Sequence, residues 1–407
     1  MGRFVTQKLA VPQWTQYKLF TTPGTYASEV VPADVYQMRM IVIGAGGSGG
    51  SVANQQALGG GGGGFACGIW DCIPGQAIAT ITVGAGGAGV SATNNGNAGG
   101  TSSIGALLSA TGGSAGTQRA AATSAYPGVA GGTGSTSGLR QAITSSGGRS
   151  GEKTGVSSMG VGALSTGGGA CGMITGNGGH GGDYTSTGSA ASATTATGGG
   201  GINGGNGGDV TSTATGNYTG GGGNGFDGGD VTGTSTGLKE TGGGGAAGNG
   251  ANSTVTSTTI ESTIGGKGIY NFISVPAVST LGSQVISDQL IDWITLLLNP
   301  NSLLVGSGGS GIANGTASGQ ATAWGGGSGG CSANTPVPSA GIGGGSGGID
   351  GAYAKSPYGA LFGGTGGAIG GTTGSLSAGI GGGSGSGRVS SGKGGDGLVL
   401  IAWCPGY

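Results

Sequence analysis

Charge is what this chain lacks most. Asp, Glu, Lys and Arg make up 7% of 407 residues, against about 25% in an ordinary soluble domain. Thirteen Lys and Arg spread over that length cannot form a phosphate-binding stripe, so nucleic acid is not an expected partner. Disordered chains usually combine high net charge with few apolar residues. Here the net charge is −1, hydrophobic residues reach 34% and the mean hydropathy is +0.09. A solvated polyelectrolyte is therefore excluded.

Other scarcities narrow the reading further. Eleven prolines and no Gly-X-Y period exclude collagen. No run reaches about 18 apolar residues, so no membrane insertion is expected. The opening Met1-Gly2-Arg3-Phe4-Val5-Thr6 has no apolar signal core, although it fits the loose N-myristoylation pattern. Cys67, Cys72, Cys171, Cys331 and Cys404 are an odd number in a long chain, which is no disulfide framework. Cys67 and Cys72 have no second pair to complete a zinc site, and burial as small hydrophobes is their expected fate. His180 is the sole histidine, and the acids lie dispersed, with Asp227/Asp230 the nearest pair. General acid–base work needs a positioned imidazole or paired carboxylates. The expectation is a protein that is not an enzyme, with no catalytic residue, no metal and no cofactor.

What the chain has is glycine, at 112 positions. Thr followed by four glycines begins at Thr197, Thr219 and Thr241, 22 residues apart each time. A second phrase, Gly-Gly-Asp-(Tyr/Val)-Thr, ends in Asp183-Tyr184-Thr185, Asp209-Val210-Thr211 and Asp230-Val231-Thr232. A fixed period means one structural unit laid down several times. An isolated polyglycine strand is a poor structure, because glycine loses the most backbone entropy on folding. Bundled extended helices of the polyproline-II kind offset that cost by letting backbones approach closely. One unit would then be a pass out and a pass back of about ten residues each, with Thr/Ser-rich stretches as turns.

The framing segments read as β. Residues 4–9 and 15–21 suit short strands, and Thr22-Pro23-Gly24-Thr25 is a turn signal. Residues 36–43 alternate clearly: Tyr36, Met38, Met40 and Val42 against Gln37, Arg39, Ile41 and Ile43. Residues 65–73 and 77–83 read as a hairpin across Pro74-Gly75, and 102–110 as a further strand. In 285–298, Ile286, Leu290, Trp293, Ile294 and Leu297 fall on one helical face, with Ser283 as cap and Asn299-Pro300 as stop. Near the end, Ala-Gly-Ile-Gly-Gly-Gly-Ser-Gly occurs at 340–347 and again at 378–385. The final strand, 398–403, needs partners, and the two termini are expected to meet in one sheet.

The chain thus divides into 1–113, an N-terminal β part with glycine blocks; 114–252, the repeat region; 253–305, an insert with the helix; and 306–407, glycine-rich with the closing strand. One continuous domain is expected. The fold class is mainly β: a sheet or sandwich of both chain ends, packed polyglycine-II-like segments and one inserted helix.

Two motifs imitate ligand sites. Ile41-Val42-Ile43-Gly44-Ala45-Gly46-Gly47-Ser48-Gly49 has the strand and glycines of a dinucleotide fingerprint. It is followed by a poor helix and six glycines, and the phrase recurs at 84–89, so architecture is the expected role. Gly178-Gly179-His180-Gly181-Gly182-Asp183 and Gly204-Gly205-Asn206-Gly207-Gly208-Asp209 match part of a calcium nonapeptide. They lie 26 residues apart rather than nine, with Thr185 and Thr211 at the large apolar position. An Asp accepting backbone N–H bonds at a tight turn is the expected use.

One family resemblance covers the chain in order. Leu19-Phe20-Thr21, Gly24-Thr25-Tyr26, Val31-Pro32-Ala33 and Met38 to Gly47 resemble the start of the glycine-rich domain of tailed-bacteriophage tail fibres. Pro74-Gly75-Gln76 with Ile81 to Gly87 is similar to its middle motif, and Gly394 to Ile401 to its closing strand. The repeats also resemble the polyglycine-II sandwich of tail-tip adhesins, where loops at the far end of a rigid stack bind the host receptor. The 253–305 insert departs from short versions of the domain.

The resemblance implies a virion protein, made in the host cytoplasm and carried on the tail or a fibre. It would contact other virion proteins and a host cell-surface receptor, a glycan or an outer-membrane protein. It also implies a homo-oligomer, with the trimer as the common fibre state. A purely structural collar, head or base-plate fibre is the alternative. A polysaccharide depolymerase is disfavoured, because its site needs clustered acids. Receptor contact is expected from loop aromatics, which give contact area at low entropic cost: Tyr126, Tyr184, Tyr218, Trp324, Tyr353 and Tyr358. Each of these rings could equally cover the edge of the stack.

Overall fold

A computed structural model describes residues 14–27, 29–52, 56–119, 125–154, 164–185, 195–212, 217–233, 239–244, 248–255, 261–262, 345, 348–349, 362–369 and 377–405. The proposed helix over 285–298 and the strand over 4–9 lie outside the described residues. Within them the chain is mainly β, in four sheets.

The alternation of 36–43 builds the centre. Gln37–Ile43 pairs antiparallel with Leu398–Trp403 on one side and Phe65–Asp71 on the other. Gln16–Phe20 and Arg140–Ser145 complete this sheet at its two edges. Both ends of the chain therefore do meet in one sheet. Met38, Met40 and Val42 face a second sheet through Ile81, Val83, Ile104 and Leu108. That sheet consists of Gly134–Thr136, Leu108–Ala110, Ser102–Ile104, Ile81–Val83 and Gly24–Tyr26, in spatial order. Ile41 and Ile43 point the other way and pack with Phe65, Leu398, Leu400, Cys171, Met173, Ile202 and Phe362. The three inner strands of this sheet are thus buried on both faces. Each such Ile, Met or Leu contributes about 1.5–3 kcal/mol through burial.

Two expected strand arrangements differ. Phe65–Asp71 and Ile81–Val83 flank a turn at Pro74-Gly75 but belong to opposite sheets. Gln76 donates to the Ile73 carbonyl across that turn, and the chain then crosses over the core rather than returning beside itself. Residues 102–110 form two strands, because Gly105 (φ +50°) turns the chain back and registers Ser103 against Ser109.

Beyond the sandwich the backbone itself is the packing material. Gly44, Gly47 and Gly50 donate to the carbonyls of Gly64, Gly61 and Leu58. Ala45, Ser48 and Ser51 donate to those of Gly100, Asn97 and Asn94. Gly46 donates to Gly395, Gly49 to the Ser384 hydroxyl, and Val52 to Gly387. Successive N–H groups thus turn to three neighbours in rotation, as an extended helix with three residues per turn requires. This is the packing that the glycine blocks predict. It also disposes of the dinucleotide reading, since the amides after Ile43 are spent on other segments. Close approach explains the glycines: a Cβ on Gly46 would lie 1.8 Å from the Gly382 carbonyl oxygen, and one on Gly63 1.9 Å from that of Gly44.

The repeat is one rung of this stack. Thr195–Ala196 leads out through 197–201, Ile202–Gly204 turns, 205–209 returns, and Val210–Ser212 ends the pass. Return strands form one parallel ladder: Lys153–Thr154, Tyr184–Thr185, Val210–Ser212, Val231–Gly233 and Ser253–Val255. Outgoing strands form another: Gln56–Ala57, Leu164–Ser165, Thr195–Ala196, Asn217–Tyr218, Lys239–Glu240 and Glu261–Ser262. The rungs therefore continue past residue 252, through Ser253–Val255 and Glu261–Ser262. The passes are about nine residues each in 164–185 and seven or eight in 195–212, roughly 22–28 Å.

Candidate functional site

The end of the stack farthest from the sandwich is where the chain repeats a connection from one rung to the next. Each return strand is followed by a short connecting segment and then by the outgoing strand of the next rung. These connections (155–163, 186–194, 213–216, 234–238 and 256–260) lie outside the described residues, but both anchors of each are fixed in the ladders. In-register neighbours in a ladder sit about 4.8 Å apart, so five connections start from a regularly spaced row. Thr154, Thr185, Thr211, Thr232 and Thr254 hold matching positions along that row.

Hydroxyls lock the outgoing passes at this end. Thr166 accepts the Gly59 N–H at 3.0 Å, Thr197 the Gly167 N–H at 3.1 Å, Thr219 the Gly198 N–H at 3.0 Å and Thr241 the Gly220 N–H at 3.1 Å. The same four hydroxyls donate to the carbonyls of Gly151, Gly182, Gly208 and Gly229. All four threonines are fully buried. The Thr that opens each four-glycine block thus substitutes one hydroxyl for a carbonyl and bridges two neighbours.

Along the return passes, side-chain amides and carboxylates do the equivalent work. Glu152 N–H donates to Asp183 Oδ1 at 2.9 Å, Asp183 N–H to Asp209 Oδ1 at 2.7 Å, Asp209 N–H to Asp230 Oδ1 at 2.8 Å and Asp230 N–H to Asn252 Oδ1 at 2.8 Å. Three residues earlier, a second column runs from Arg149 N–H to His180 Nδ1, then to Asn206, Asp227 and Asn249. Each Asp does accept backbone N–H, but from the adjacent rung instead of its own turn. Glu152, Asp183, Asp209, Asp227 and Asp230, which look dispersed in the sequence, come together here.

Arg149 closes the first rung with a bidentate pair to Asp183, at 2.7 and 2.6 Å. The Asp183 hydrogen bond holds the Arg149 guanidinium above its usual pKa. Burial, with Arg149 nearby, pushes His180 below its usual value, in keeping with a neutral ring whose Nδ1 accepts a backbone N–H. Asp209 keeps an exposed edge, but the neighbouring rungs crowd its carboxyl and push it up to about 7, with repulsion from Asp183 and Asp230 adding to this. Asp230 moves in the same direction, again chiefly through burial. Among the described residues no group of three or more His, Cys, Asp or Glu could hold a metal ion.

The aromatic residues sort clearly. Tyr184 is fully buried with Leu164, Val210 and Val231, and Tyr218 is fully buried with Ala196 and Ile369. Their rings fill the stack and offer no surface. Tyr126 is half-buried, bridges in strand fashion to Lys153 and lies under its ammonium at 5.8 Å. Trp324, Tyr353 and Tyr358 lie outside the described residues. Sequence reasoning missed the bridging threonines and the carboxylate column. Their signal was present as the fixed place of Thr before each glycine block and of Asp before each (Tyr/Val)-Thr.

The architecture defines a class: a β-sandwich extended by a self-hydrogen-bonded glycine stack. The glycine-rich domain family matches residues 21–238, more than half of the chain, and the protein belongs to that family. No curated protein matches it.

Proposed function

We propose that this protein is a bacteriophage tail-fibre or tail-tip adhesin, held to the particle by its sandwich and recognising the host surface with the ladder end of the stack. The supporting observation is the row of connections, all carried at the same end of a rigid scaffold. A scaffold satisfied by backbone bonds tolerates variation in such connections, and binding residues concentrate on loops that a rigid body positions. The phage context rests on the ordered motif resemblance, and so does the expectation of a homo-oligomer. The function is binding rather than catalysis, with no cofactor. Tyr126 is the one candidate contact among the described residues whose ring is not fully buried.

The test is competition. Purified protein should bind cells of a susceptible host and slow adsorption of the phage in proportion to its concentration. A variant with the 186–194 connection replaced by a Gly/Ser segment of equal length should fold and compete less well. Absence of both binding and competition across a panel of hosts would reject the adhesin and leave the structural virion part.

A further inference from the structure

The two hydrogen-bonded columns on the return passes do the same structural work with different chemistry. In one, the acceptors are His180, Asn206, Asp227 and Asn249, so a lone carboxylate has neutral groups above and below it. In the other, Asp183, Asp209 and Asp230 follow one another before Asn252. Asn252 and Asn206 show that a neutral amide oxygen serves as the rung acceptor. A negative charge is therefore not needed to hold the rungs. Three carboxylates nevertheless stand in register, about 4.8 Å apart from rung to rung.

The central member stands between two other carboxylates of the column. Arg149 is committed to Asp183 through two hydrogen bonds, with Glu152 at 3.8 Å as its other acidic neighbour. Asp230 has Asp227 beside it. Asp209 has an acid on either side, Arg149 only across Asp183, and one N–H donor, that of Asp183. His180 lies on the neighbouring column and is biased to its neutral form. Like charges at this spacing resist simultaneous ionisation, and one site then keeps its proton.

We infer that the Asp183–Asp209–Asp230 column is a pH-sensitive element of the stack: a proton on Asp209 relieves like-charge repulsion between adjacent rungs, and its ionisation restores that repulsion. The direction follows from linkage. A carboxyl that holds its proton more tightly folded than unfolded stabilises the fold fully below the unfolded value of about 4. That contribution declines as pH rises towards the folded value, about 7 for Asp209, and is absent above it. His180 acts in the opposite sense at acid pH, because its folded value is lowered.

Melting curves of the full chain and of Asp209→Asn, taken from about pH 4 to about pH 9, separate the two groups, since both proteins retain His180. The two should melt together at the acid end. The variant should become progressively the more stable up to about neutrality, with a constant gap beyond. A gap that does not change with pH, or a variant less stable at alkaline pH, overturns the inference. Should Asp209→Asn not fold, carboxyl carbon NMR on the unmodified protein decides. One aspartate titrating near neutrality supports the inference, and a set that all titrates below about pH 5 overturns it. Asp230→Asn should move that late titration to lower pH.

Discussion

The sandwich and the glycine stack solve the same problem with opposite materials. In the sandwich, backbone pairs only with strand neighbours, and the layers are joined by side chains such as Met40, Ile81 and Leu108. In the stack, glycines bring the backbones themselves into contact and amide groups join segments in three directions, with a few hydroxyls and carboxylates among the acceptors. Entropy explains the choice of sites for each. Glycine ordering is costly per residue, so it succeeds only where every N–H and C=O finds a partner, and the sandwich provides the fixed edge from which those segments start. The lesson is that a low-charge, low-complexity sequence can specify one fold if its few large side chains set the register.

The sharpest way to break this contrast is to place a side chain in the stack. A Cβ on Gly200 would sit 2.1 Å from the Gly179 carbonyl oxygen, and one on Gly222 2.2 Å from that of Gly205. Gly200→Val or Gly222→Val should cost on the order of 5 kcal/mol or abolish folding, measured as loss of the soluble, cooperatively melting protein. The matching change in the sandwich, Met40→Ala, should cost about 2–5 kcal/mol by denaturant unfolding, with the stack still formed in the surviving population. Thr219→Val keeps volume and removes one bridging hydroxyl, leaving the Gly198 N–H and Gly208 carbonyl without it. It should cost about 1–3 kcal/mol, whereas Thr219→Ser should recover most of that. At exposed Thr232, Ala should change stability by no more than about 0.5 kcal/mol. A duplication probes the rung as a unit. A second copy of 219–240 inserted after Glu240 adds one rung with its own hydroxyl, acceptors and connection. It should shift Tm by only a few degrees, about 3 °C or less. A large drop would mean that the rungs are not interchangeable.

Much of the sandwich was legible because period-2 alternation over seven residues states which side chain goes where, as in Gln37–Ile43. The meeting of the termini followed from an apolar final strand with no nearby partner. The two-residue ladder strands carry no such information. Nothing local in Asp183-Tyr184-Thr185 says that the ring points inward, because its facing partners, Leu164, Val210 and Val231, come from other rungs. The same limit hid the carboxylate column: Asp183, Asp209 and Asp230 are separated by 26 and 21 residues and become neighbours only through the register. The repeat past residue 252 was obscured by the loss of glycine there, although Ser253–Val255 keeps its place in the ladder through backbone bonds that do not depend on composition.

The antiparallel pairing of Gln16–Phe20 with Leu398–Trp403 has a mechanical consequence. Gln16 opposes Trp403 at the end away from the glycine segments, while Phe20 and Leu398 lie at the end from which those segments leave. Tension between the ladder end and that base would run along the strands and the extended passes, perpendicular to their hydrogen bonds. Bonds loaded in this way share force and must slide together, rather than opening one after another like a zip.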